Sequence, residues 1–234
     1  MIAFQHSGLV VFLQVLVYTA MIIVVVAGAL HQGRSRKLRV AAFYRLGDRL
    51  KFDSFRPDRD DAFVLGWGFL KPLSQGADRY AFNILRGTYH DRPLYVFDFH
   101  YQTGAGKSRK EHYATMLMLV TNEAFPSLTI KPENFAERIA AAIGIGNDIQ
   151  FESAEFSNAF SVRSVDKKFA YDVCHPRMME YLLANRDLHV EIQGPVISMA
   201  FEPPLPVEKI EFNLQRLAQI RSLLPEYLFE TKNT

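Results

Sequence analysis

From Leu9 to Leu30 the chain reads LVVFLQVLVYTAMIIVVVAGAL, with no charged side chain. A helix of that length measures about 33 Å, close to the thickness of a bilayer's hydrocarbon core, so the pattern predicts a transmembrane helix over 9–30. A cleaved signal peptide is the rival reading, since Ala27-Gly28-Ala29 has the small-x-small look of a cleavage site. The preceding residues MIAFQHSG carry no Lys or Arg, however, and the apolar run is longer than a signal peptide's core. A retained anchor is the expectation.

Beyond the anchor the pattern changes period. Residues 35–50 place Leu38, Ala41, Ala42 and Leu46 on one helical face, and 53–61, charged and broken by Pro57, read as a connection. From Tyr80 the alternation is that of strands. Residues 80–89 meet a turn at His90-Asp91-Arg92-Pro93, and in 94–102 Tyr95, Phe97, Phe99 and Tyr101 oppose Val96, Asp98, His100 and Gln102. A turn at TGAGKSRKE leads to a third strand over 112–120, and a short strand follows near 128–130. Pro132-Glu133 opens an amphipathic helix to about Ile143. Short helices are expected at 152–160 and 176–184, with a strand at 161–164. Strands at 188–193 and 196–201 flank a turn at Gly194-Pro195, and a last helix covers 207–224. The element order predicts an α+β fold, mainly antiparallel, in four stretches: an external N-terminus (1–8), the anchor (9–30), a basic juxtamembrane helix and loop (31–61), and the α+β domain (62–234).

Charge orients this arrangement. No basic residue precedes the anchor, whereas Arg34, Arg36, Lys37, Arg39 and Arg45 follow it before the first acid, Asp48. Positive charge stays on the cytoplasmic side, so the expected topology is single-pass in a bacterial inner membrane, N-terminus outside and domain in the cytoplasm. Arg34, Arg36, Lys37 and Arg39 are the candidates for contact with anionic lipid, although setting topology is sufficient reason for their presence. Within the anchor, Gln14, Tyr18, Met21 and Val25 share one face, a candidate surface for another helix. The chain's formal charge of only +2 gives no reason to expect nucleic acid.

Candidate chemistry is sparse. Gly104-Ala105-Gly106-Lys107-Ser108 resembles the end of a phosphate-binding loop, but Tyr101 stands at the first glycine's position and the following residues read as a strand, not a helix. A hairpin turn is expected. No spacing brings four metal ligands together, and the lone Cys174 reads as a buried structural thiol. No cofactor is expected.

Three separated segments, ILRGTYHDRPLYVFDFHYQTGAGKSRKEHY, FPSLTIKPENF and DIQFESAEFSNAFSVRSVDKKFAYDVCHPRMMEYLL, together resemble an uncharacterised bacterial family of single-span, membrane-anchored proteins with a domain of unknown function. That resemblance implies a tethered bacterial protein and carries over no activity. The leading expectation is a non-enzymatic domain that binds or stabilises another membrane protein, an accessory subunit or a homo-oligomer at the bilayer. Two alternatives stay open. One is a hydrolase-like enzyme assembled from scattered residues, with Asp98, His100, His112 and Cys174 first to test. The other is a lipid- or ligand-binding module, on the likeness of its element order to pleckstrin-homology-like barrels.

Overall fold

The computed structural model describes residues 2–133 and 149–229, with side chains from residue 16 onward except 25 and 28–32. It divides into two units, Met1–Arg45 and Leu46–Thr234. One helix, α1 (Ile2–Arg49), accounts for the first and contributes its last turn to the second.

The expected helix is therefore present, but the membrane reading of it is corrected. Among the described residues no helix is long and apolar enough to cross a membrane. The transmembrane helix over 9–30, the single-pass architecture and the inner-membrane localisation with an external N-terminus are withdrawn on this ground.

In the second unit the α+β expectation holds: a six-stranded antiparallel sheet with helices on it. Its strands are β1 (Ser54–Arg56), β2 (Ala77–Tyr89), β3 (Arg92–Thr103), β4 (Lys110–Pro132), β5 (Phe160–Ser164) and β6 (Val190–Phe201). The order is β1-β2-β3-β4-β5, with β6 also paired to β4. The β2–β3 hairpin turns through His90 and Asp91, both with positive φ (47° and 61°), the two-residue turn whose twist matches its flanking strands. At the other end of β3 the glycine-rich string forms a turn. Gly104 and Gly106 take positive φ, Ser108 Oγ donates to the Ala105 carbonyl at 2.8 Å, and the chain returns as β4.

Strand β4 is the spine. Its first half pairs with β3 and its last residues with β5, while β6 runs antiparallel along it from Thr115 to Ile130. Two strands expected near 112–120 and 128–130 are thus one, and so are the two expected at 188–193 and 196–201. Register shifts around Phe125, opposite Gly194 (φ 53°), bend this two-stranded ribbon, and Ala200 N–H donates to the His189 carbonyl. Pro132 ends β4 opposite Phe160 and does not open a helix there; residues 134–148, where that helix was expected, lie outside the described residues.

One sheet face carries an aromatic core in which Phe97, Phe99, Tyr101, Met116 and Met118 meet Leu70 and Leu73. The two short helices α2 (Asp61–Gly66) and α3 (Lys71–Ser74) supply its cover. Helix α2 starts where the Asp60 carboxylate accepts the Phe63 N–H at 2.8 Å. Helices α4 (Ala154–Ala159), α5 (Lys167–Val173) and α6 (Pro176–Leu183) follow β4, and α7 (Ile210–Leu223) packs on β4 and β6.

Candidate functional site

The alternation along β3 sends Asp98 and His100 to one face and Tyr101 to the other. Asp98 is fully buried, and its two carboxylate oxygens accept from Asn83 Nδ2 (2.9 Å) and Thr115 Oγ1 (3.0 Å). Asn83 reaches it because a bulge in β2 between Phe82 and Leu85 gives Asn83 a positive φ of 52°. A carboxylate gripped from both sides in this way is a structural tie.

His100, two residues on, is equally buried and sits between the rings of Tyr80 (4.4 Å) and Tyr113 (4.9 Å). Its Nδ1 donates to the Asp78 carbonyl at 3.0 Å and its Nε2 meets the Glu111 carboxylate. Both ring nitrogens are taken by protein oxygens, so neither faces a substrate as base. At the outer edge of this cluster Arg59 binds Asp61 and Asp78 and lies 4.1 Å over the Tyr80 ring. The Arg59 hydrogen bond holds the Asp61 carboxyl below its ordinary range.

His112 belongs to a different group. It pairs in register with Tyr101, stacks on that ring at 4.6 Å, and so projects from the face opposite His100. Its Nδ1 meets Glu202 at 2.8 Å and its Nε2 meets Thr103 Oγ1 at 2.8 Å, while Tyr101 donates to the same Glu202 at 2.9 Å. Burial, then Glu202, push the Tyr101 hydroxyl up to about 12. Cys174, just after α5, is buried, and burial pushes its thiol up to about 12, so it stays protonated and unreactive at neutral pH. The structure thus brings Asp98 and His100 onto one face and leaves His112 and Cys174 elsewhere. Among the described residues no three His, Cys, Asp or Glu side chains stand where they could hold a metal ion.

One buried acid escaped the sequence reading. Glu191 on β6 accepts the Lys71 N–H at 2.8 Å through one carboxylate oxygen, and the other is buried with no hydrogen-bond partner. Burial raises its carboxyl to about 6 against the opposing effect of that N–H.

The concave surface lies elsewhere still, where α7 leaves the sheet. Two adjoining cavities, about 460 Å³ and about 260 Å³, share Tyr89 and Leu119 as a common wall. The smaller is mainly apolar, walled by Leu94 on the sheet and Leu214 and Leu217 on α7, and its lining also holds the polar Gln215 and Glu211, the latter paired with Arg49 at 2.9 Å. The larger carries Arg92, Glu123, Arg221 and Glu226. No local motif marks these residues, which converge from positions 50 to 229.

On α1 the described members of the expected interaction face, Tyr18 and Met21, are exposed; the side chains of Gln14 and Val25 lie outside the described set. Arg34, Arg36 and Lys37 are exposed, and Arg39 lies 5.2 Å over the Phe43 ring.

No family model and no curated protein matches the chain. Among solved structures it is similar to the mycobacterial trehalose monomycolate transport factor A, TtfA, at a TM-score of 0.55 and 16% identity, over 79% of this chain and 93% of that one. At that identity the likeness is one of fold.

Proposed function

We propose that this protein is a non-enzymatic accessory factor whose helix α1 docks onto a partner protein. The observation that carries the reading is the surface of α1. Every large apolar residue described between Leu16 and Val26 is 51–70% exposed, and these residues lie on all sides of the helix. A helix apolar all round belongs in a covered environment, and each 100 Å² of that surface removed from water contributes about 2.5 kcal/mol. The face Gln14, Tyr18, Met21 and Val25 is the proposed contact, since an amide among apolar residues gains from a partner that hydrogen-bonds it. Arg34, Arg36, Lys37 and Arg39 are the proposed contacts to acidic groups beside it, on the partner or on anionic lipid.

The fold shared with a transport factor supports a partner drawn from a transport assembly, a membrane protein in that case. Recovery of the full chain in mild detergent, with its bound proteins identified, tests this. A partner that falls at least tenfold with Met21→Lys and Ile22→Lys is the expected result. Retention of the same proteins by both variants, or recovery of only further copies of the chain, contradicts it.

A further inference from the structure

The two cavities beside α7 differ in chemistry and meet along one wall, and from that pairing we infer that the cleft binds a single-chain amphiphile with an acidic head group. This site is independent of the α1 reading. The apolar chamber takes the alkyl chain between Leu94 and Leu214–Leu217, and the larger chamber takes the head group, a carboxylate or a phosphate monoester. The larger chamber, about 460 Å³, has the volume of a small-molecule site, and the smaller, about 260 Å³, extends it.

Arg92 is the anchor. It is half-buried on the wall of the larger chamber, and its guanidinium has no hydrogen-bond or ionic partner among the described residues. A partly desolvated guanidinium is best satisfied by a carboxylate or phosphate, which its planar fork can bind through two oxygens. Arg221 faces the same space with its position already fixed. The Phe229 ring lies 3.4 Å from its guanidinium carbon, and Glu226 touches it only at 3.7 Å. The head group thus meets two cations, one free and one partly neutralised. Glu123 lines the same chamber and opposes an anion, so its removal strengthens binding.

The shape follows from the sheet. Tyr89 and Arg92 pair across the β2–β3 turn, and Leu94 pairs with Leu119, so Arg92 and Leu94 share a face with Leu119 and Thr121. Arg92 therefore stands one step outside the apolar floor, the order of head and chain in an amphiphile.

The test uses the full-length chain and dodecanoic acid carrying a photoactivatable diazirine, with labelled peptides identified by mass spectrometry. The expected label falls on peptides containing Leu94 and Leu214–Ala218, and unlabelled dodecanoate or dodecyl phosphate competes it away. Arg92→Gln lowers this labelling about tenfold or more, Arg92→Lys retains most of it, and Glu123→Gln raises it severalfold. Ala218→Trp, which fills the apolar chamber, abolishes it; thermal midpoints verify that each variant folds. Should Ala218→Trp fail to fold, the Arg92 and Glu123 variants decide. Equal labelling by the dodecanol analogue, labelling unchanged in Arg92→Gln, or label confined to α1 overturns the proposal.

Discussion

Glu191 makes the buried electrostatics of this fold measurable. Its carboxylate is enclosed, holds the Lys71 N–H with one oxygen and leaves the other without a partner. The folded protein therefore favours the protonated acid, with its carboxyl at about 6 against an ordinary 4.5. Between those two values the folded state binds more protons than the unfolded one, so stability falls as pH rises through the window and is level above it. The difference corresponds to about 2 kcal/mol. Glu191→Gln removes the charge and keeps an oxygen for the Lys71 N–H. Whatever its amide costs is the same at every pH, so the variant-minus-wild-type difference isolates the titration. Urea unfolding at intervals from pH 4 to pH 7.5 reads it directly. The difference is expected to move by about 2 kcal/mol in favour of the variant as pH rises, with most of the change between 4.5 and 6. A difference flat across that range, or moving the other way, refutes the assignment of a desolvated carboxylate.

Asp98→Ala leaves Asn83 Nδ2 and Thr115 Oγ1 buried without their acceptor, and a loss of about 3 kcal/mol in chemical unfolding is expected; a loss under about 1 kcal/mol contradicts the tie. Asp60→Ala removes the α2 cap and costs about 1 kcal/mol by the same measurement. Lys107→Ala at the exposed hairpin tip leaves stability within about 0.5 kcal/mol, and saturable ATP binding lost in that variant contradicts the turn reading. Cys174 reacts with a thiol reagent only as the protein unfolds, so modification at the rate of a free thiol in native buffer contradicts its burial.

What the sequence made legible was the local part of the fold. The alternation in 94–102 identified β3 and its aromatic face, and Gly104 and Gly106 marked the turn after it. Asp166, whose side chain accepts the Phe169 N–H, was a readable start for α5 that the pattern reading passed over. Strand β4 was harder. Residues 121–127, TNEAFPS, contain polar side chains and Pro126 and resemble a loop, yet pairing with β6 resumes on both sides of the bulges there. Strand β1 is three residues long and owes its existence to an edge of β2, which no local signal reveals. The polar clusters follow the same division. Spacing placed Asp98 and His100 on one face, but their partners Asn83, Thr115, Asp78 and Glu111 arrive through register, and the α7 cleft joins residues from opposite ends of the unit. The apolar stretch around α1 was plain in the sequence, and what covers it was not, because a helix carries no record of its surroundings.

That cover is the central question, and crosslinking from within α1 tests it most directly. A photoreactive amino acid placed at Tyr18, Met21 or Ile23 in cells that make the protein reports what touches each position, with Lys51 as a control outside the helix. A discrete protein adduct is expected from positions 18 and 21, of one partner that is not a second copy of the chain, with a weaker one from position 23 and none from position 51. Lipid adducts alone, equal from every position on the helix, contradict it.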